Sequence, residues 1–185
     1  MPRHSKGNSF VTINVTVRQA IGPQDAAHRD TAALRAGFLV ENLFRPGEIN
    51  LVYSHLDRMI LGGVVPAVTS LILAAVKETG TDTFLERREL VVLNVGGRGS
   101  VAVGSTEYDL DKLEALYVGR GAGPLEFSSR DASLPAQFYL VSTPAHRDCP
   151  VAHVTLDDFD VVFEDLLQKA LPSGTTLVKV GRHTR

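Results

Sequence analysis

Residues 84–97, FLERRELVVLNVGG, with 99–110, GSVAVGSTEYDL, and 115–127, ALYVGRGAGPLEF, decide the fold. They are short apolar runs punctuated by glycine, and many such runs at near-regular spacing read as an all-β sandwich or closed barrel. Their order is the one a small double-stranded β-helical barrel requires. The long run predicts a strand over 84–95, and further strands follow at 100–103, 115–118, 125–128 and 137–142. Upstream, Val11–Val17 alternates apolar and polar residues, the period of a half-buried strand. Strands are also expected at 38–44, 49–55, 59–65 and 70–76, separated by Arg45-Pro46-Gly47, Gly62-Gly63 and Pro66. Asp30 is placed to cap a short helix over Thr31–Gly37, with Leu34 as its apolar contact.

The character changes near the end of the chain. Phe159, Val162, Phe163, Leu166, Leu167 and Ala170 form an amphipathic helical stripe. Thr155 and Asp158 have the spacing of a capping box, and Pro172 and Gly174 stop the helix. A short strand is expected at 176–180. The stripe's polar face is acidic, which fits a cover for a barrel face or a subunit neighbour rather than a membrane-surface helix. The expected organisation is therefore a tail and arm strand over 1–17, a barrel over 18–157, and a helix with a short strand over 158–185.

A chain of 185 residues has room for one barrel with appended arms. Hydrophobic residues at 44% and charged residues at 22% place it among ordinary globular proteins. A net charge of −2 argues against the basic face of a nucleic-acid protein. The lone Cys149 cannot form an internal disulfide and fits a reducing compartment. Arg3, His4 and Lys6 are not followed by an apolar run, and no apolar stretch approaches the roughly 20 residues of a membrane helix. Asn14-Val15-Thr16 matches a glycosylation acceptor, but without a secretion signal it carries no weight. The expectation is a soluble cytoplasmic protein with neither a nucleic-acid nor a membrane partner.

The strand and glycine pattern resembles the cupin barrel. Metal-binding cupins carry His-x-His, a Glu soon after and then a Gly, while a later Pro-x-Gly-x-x-His supplies the last imidazole. Residues i and i+2 of a strand share a face, so such spacing points both rings inward. Here Glu89 and Gly96, with six residues between them, keep the back of the first motif. The histidine positions hold Thr83 and Leu85, or Asp82 and Phe84 in the longer register. The second motif survives as Gly119-Arg120-Gly121-Ala122-Gly123-Pro124, with Pro124 at the ligand position. Zinc needs three or four donors at about 2 Å, and Glu89 alone does not make a site. No metal or other cofactor is expected in this chain, and Leu, Val and Phe should fill the interior.

The segments LRAGFLVENLFRPGEINLVYSHLDRMILGGVVP (34–66), FLERRELVVLNVGGRGSVAV (84–103), ALYVGRGAGPLEFSS (115–129) and AQFYLVSTPAHRD (136–148) carry a more specific likeness. Over roughly residues 18–157 the chain resembles the 5-dehydro-4-deoxy-D-glucuronate isomerase family, also called 4-deoxy-L-threo-5-hexosulose-uronate ketol-isomerase. The resemblance implies a cytoplasmic, oligomeric bicupin of pectin and uronate catabolism that interconverts a 5-keto uronate and its 2,5-diketo isomer. In full-length members a second barrel holds zinc. This chain resembles the N-terminal, metal-free half, so no zinc ligand carries over.

His55, Arg58, Arg87, Glu89 and His146 are the polar candidates. His55 and Arg58 lie in YSHLDR, which reads either as a substrate- or subunit-facing cluster or as a strand-end turn with a local Asp57–Arg58 pair. Alternation in Glu86-Arg87-Arg88-Glu89 puts Arg87 and Glu89 on one face and Glu86 and Arg88 on the other. A guanidinium there could grip a uronate carboxylate through two parallel hydrogen bonds, or these charges could form salt bridges at the barrel mouth. His146 precedes Asp148 by two, either as an acid–base pair or as a loop ion pair, and His153 has no partner at metal spacing. Gly96-Gly97-Arg98-Gly99 and Gly119-Arg120-Gly121 are barrel turns, since no helix follows to hold a phosphate. Two roles fit these residues. One is an isomerase-family protein lacking its zinc-bearing half, truncated or completed by a partner chain. The other is a non-catalytic cupin module that binds a sugar acid or assembles with itself or a partner.

Overall fold

The strand predicted over 84–95 is shorter, running only from Arg88 to Asn94, and its alternation shows how the interior is filled. Arg88, Leu90, Val92 and Asn94 are buried, while Glu89 and Leu93 are half-buried and Val91 is exposed. The computed structural model describes residues 13–155 and 157–158. Its elements are β1 (Ile13–Arg18), α1 (Pro23–Ala27), α2 (Thr31–Phe38), β2 (Ile49–Ser54), β3 (Ile60–Val64), β4 (Leu71–Leu73), β5 (Arg88–Asn94), β6 (Gly99–Val103), β7 (Thr106–Leu110), β8 (Ala115–Val118), β9 (Leu125–Ser129), β10 (Phe138–Pro144) and β11 (Ala152–Val154).

The strands form a seven-stranded sheet in the order β1-β2-β3-β10-β5-β8-β11 and a four-stranded sheet in the order β4-β9-β6-β7. Apart from the parallel β1–β2 pair, every pairing is antiparallel. Strand β10 slots between β3 and β5, and β9 between β4 and β6. Late strands thus pair with early ones in both sheets, the wrapping of a double-stranded β-helix. The fold is all-β, of the cupin or jelly-roll kind. Period-two alternation explains why: each strand presents one apolar face, and the only place to hide two such faces is between the sheets. Phe127 on β9 and Phe138 on β10, both fully buried, meet there with ring centroids 5.3 Å apart. Leu51, Leu90, Leu116 and Leu125 complete the layer from both sides.

Asp30 caps α2 as expected, its side chain accepting from Ala33 N at 2.8 Å. The strand expected at 38–44 does not form. Phe38 ends α2, and no strand forms before β2 begins at Ile49. Arg18 donates to the carbonyls of Gly37 (3.1 Å) and Leu39 (2.6 Å), and Asn50 donates to Leu43 O at 3.3 Å. Side chains therefore satisfy carbonyls that a ladder would otherwise use. The Leu43 carbonyl also packs onto Gly63, where any Cβ would collide with it. Two strands were not foreseen. β7 reads TEYDL, polar because it is an edge strand of the small sheet, and β11 is only three residues long.

The chain divides into two units, Met1–Val154 and Thr155–Arg185. In the second, Thr155 and Asp158 form the reciprocal capping contacts their spacing predicted: Thr155 N donates to the Asp158 carboxylate at 2.7 Å, and Asp158 N donates to Thr155 Oγ1 at 3.4 Å. The C-terminal amphipathic stripe, the strand at 176–180 and the tail before residue 13 lie outside the described residues. No helix among the described residues is long and apolar enough to cross a membrane.

Candidate functional site

Strand parity separates the candidate residues. Glu89 lies on the outward face of the large sheet, where it accepts from the Tyr117 hydroxyl at 2.9 Å and from Thr143 Oγ1 at 3.4 Å. Burial, the Glu89 hydrogen bond and the neighbouring Cys149 thiol hold the Tyr117 phenol well above its ordinary pKa. Reading Glu89 as the surviving acid of an interior ligand set is therefore corrected: the inward residue beside it is Leu90, fully buried. Arg87 does not share a site with Glu89. It is 78% exposed and approaches Glu86 at 3.5 Å.

His146 is exposed, and Asp148 pairs with Arg120 instead, which holds the Asp148 carboxyl below its usual range. Their spacing brings no acid–base pair together. His153, without a partner by sequence, meets Glu114 at 3.2 Å across the β8–β11 pair.

The backbone of Arg58 meets a residue that was passed over, Arg88. The β2–β3 turn carries positive φ at both Asp57 (52°) and Arg58 (53°), and Met59 N donates to Leu56 O at 3.2 Å. That is a tight four-residue hairpin connection, His55 to Arg58, with two left-handed residues and no glycine, at about 1–2 kcal/mol for each left-handed residue. The Asp57–Arg58 pair expected there is not among the ion pairs of the described residues. Instead the Arg58 carbonyl accepts from the buried guanidinium of Arg88 at 2.6 Å. Arg88 also donates from Nε to Ser142 Oγ (3.1 Å) and from Nη2 to Ser142 O (2.9 Å). Tyr53, packed against the core, meets the exposed His55 edge to face at 5.4 Å. Arg88, Ser142, Tyr53, His55 and the Arg58 backbone thus gather at one end of the barrel. The signal for Arg88 was present in the sequence: it shares the parity of Leu90 and Val92, so it had to point inward with them.

At the other end, Asn94 is fully buried and fully used. Its amide donates to Gly97 O (2.7 Å) and Leu110 O (3.0 Å), and its oxygen accepts from Gly96 N (3.1 Å) and Gln137 N (3.3 Å). The Gly96–Gly97 segment is thus a pinned barrel turn, as its spacing predicted.

Zinc, implied by the family resemblance for full-length members, does not fit the residues present. The inward positions of β5 hold a cation, two aliphatic side chains and an amide with every hydrogen bond spent. Among the described residues no three His, Cys, Asp or Glu side chains gather as a metal site. A borderline metal needs such a set.

No family model matches the chain. Curated relatives do. A 4-deoxy-L-threo-5-hexosulose-uronate ketol-isomerase 1 of Rhizobium meliloti is 57% identical over 147 residues, which is 80% of this chain and 52% of that protein. Over that stretch the chain is closely similar to 4-deoxy-L-threo-5-hexosulose-uronate ketol-isomerases. Family members of Shouchella clausii and Caldicellulosiruptor bescii are 48% identical over 134 residues and 45% identical over 140, covering 49% and 51% of those proteins. The chain spans about half the length of the ketol-isomerases it matches. Among solved structures, the Schizosaccharomyces pombe Cnp3 cupin domain aligns over 52% of this chain and 64% of its own, at 13% identity and a TM-score of 0.40. The fold assignment rests on strand order, not on that likeness.

Proposed function

We propose that this barrel is the metal-free half of a uronate ketol-isomerase, which converts 5-dehydro-4-deoxy-D-glucuronate to its diketo isomer only together with a metal-bearing second barrel. That second barrel would come from sequence beyond these residues or from a partner chain. One observation carries the reading: a stretch 57% identical to a named ketol-isomerase covers half of that protein and folds around an interior closed by Leu90, Val92 and Phe138. Aldose–ketose isomerisation moves a proton between adjacent carbons and needs a positioned acid–base group. Among the candidate residues His55, Arg58, Arg87, Glu89 and His146, none meets another in a reactive pair. The role proposed for them is to hold and complete the partner barrel.

We place the protein in the cytoplasm and expect it to form an oligomer. Support for assembly comes from the outward face of the large sheet, where Val91 is 40% exposed and Leu93, Tyr139 and Val141 are half-buried. Light scattering of the purified chain checks this expectation.

The enzymatic reading is tested by assaying keto-uronate isomerisation and metal content on the chain alone, then again after adding a separately expressed second half of the Rhizobium meliloti relative. An inactive, metal-free chain that restores turnover to the added half supports the proposal. Stoichiometric zinc with turnover by the chain alone overturns it. Failure to complement leaves the non-catalytic module as the better description.

A further inference from the structure

The end of the barrel beside the β2–β3 turn holds more hydrogen-bond donors than acceptors. Arg88 is only 6% exposed, yet no carboxylate pairs with it among the described residues. Its Nε and Nη2 groups are taken by three neutral oxygens. A guanidinium has five N–H donors; the two on Nη1 have no acceptor among the described residues, and since no buried side-chain nitrogen there lacks a partner, Nη1 is the part of the group that reaches solvent. Ser142, 1% exposed, accepts from Arg88 through Oγ, and its own hydroxyl proton has no acceptor among the described residues. The Tyr53 hydroxyl likewise makes no hydrogen bond with any described residue, although the ring packs against the core.

These groups lie close by register. Tyr53 is opposite Ile60, Ile60 is opposite Ser142, and Arg88 stands opposite Pro144 on the same face. The electrostatics point the same way. Burial lowers the Arg88 pKa, Tyr53 raises it, and Arg58, a second cation, lowers it further, while no carboxylate contributes. A buried cation with no counter-ion is costly and is normally compensated. What would compensate it is an anion with two acceptor oxygens. A carboxylate suits the site better than a phosphate, whose second charge would face a single buried guanidinium.

We infer that this end of the barrel seats the carboxylate of a small organic acid, with Arg88 Nη1 and the hydroxyls of Tyr53 and Ser142 as its donors. The exposed His55 and Arg58 stand at the rim, where the remainder of the ligand would lie. The seat is independent of the isomerase proposal, because it requires binding by this chain and no turnover. A failed complementation assay therefore leaves it intact, and a failed binding assay leaves complementation intact.

The test is isothermal titration of the full chain with D-galacturonate and with acetate as the smallest carboxylate, against D-galactose and inorganic phosphate. At least one carboxylate should bind, and galactose and phosphate should not. Tyr53→Phe keeps the packed ring and removes one donor, so it should weaken carboxylate binding about tenfold. Arg88→Gln should abolish binding. Should that variant fail to fold, Tyr53→Phe decides the matter alone, with its circular dichroism matched to the parent. No binding by either carboxylate, equal binding by galactose or phosphate, or an unchanged affinity in Tyr53→Phe each overturns the seat.

Discussion

Replacing Asn94 by Ala should be among the most damaging single polar changes in this barrel. The side chain is fully buried and makes four hydrogen bonds, two donated and two accepted, to backbone groups of Gly96, Gly97, Leu110 and Gln137. These tie the turn after β5 to the end of β7 and the start of β10, so one side chain joins the two sheets. At about 1 kcal/mol net per bond, the loss is about 4 kcal/mol, eased if a water enters the space left behind. Against a total stability of roughly 5–15 kcal/mol, that is a large share. For a protein of this size it corresponds to a fall in Tm of about 8–16 °C. Thermal and urea unfolding followed by circular dichroism measure it, with an unchanged m-value showing that the native state is otherwise intact. Asn94→Asp sharpens the test. It keeps an acceptor for Gly96 and Gln137 but turns a carboxylate oxygen toward the carbonyls of Gly97 and Leu110. That environment raises the folded pKa of the new acid, so the folded state binds the extra proton. The variant should gain stability relative to the parent as pH falls from about 8 to about 5. A loss below about 1 kcal/mol in Asn94→Ala would show that the turn is held by something other than this side chain.

Three further outcomes follow from the geometry. In Gly119→Ala the new Cβ would collide with the Cys149 carbonyl, so the loop after β10 must shift, and a loss of at least about 2 kcal/mol is expected in urea unfolding. Tyr117, its pKa raised by burial and Glu89, should ionise above the ordinary phenol range in an alkaline ultraviolet titration; its contribution to stability is full below the ordinary phenol pKa of about 10 and fades above it, and Glu89→Gln should bring its titration down. On the outer edge of the small sheet, Arg130 holds the Asp109 carboxyl below its usual pKa. The pair's contribution, under about 1 kcal/mol because both groups are exposed, is present above about pH 5 and lost on acidification, so Asp109→Asn should differ from the parent at neutral pH and converge with it in acid.

Most strands were legible because their residues obey one local rule. Alternation and glycine turns located β2, β3, β5, β8, β9 and β10 to within a few residues. Where the rule failed, the cause was tertiary. The 38–44 segment has strand composition, but Arg18 and Asn50, remote in sequence, take its carbonyls. Strand β7 was missed because its composition is mostly polar, although Tyr108 and Leu110 on one of its faces reach the core. Among the polar candidates, Arg58 meets Arg88 through its backbone carbonyl, yet Arg88 itself was passed over for Arg87 and Glu89. Charge drew attention to the run, while parity, which decides which charge points inward, was applied without knowing which face was the interior.

By itself the amino-acid sequence determined the all-β barrel, the turns that close it and the family its segments resemble, since these follow from residue spacing along the chain. Only the tertiary structure decided that Glu89 looks outward, that Asp148 belongs to Arg120, and that a buried guanidinium sits beside a strained hairpin turn. Those facts depend on which strands lie side by side and which face is enclosed. Chain-local periodicity carries the phase of a strand, and the packing of the two sheets assigns that phase to inside or outside.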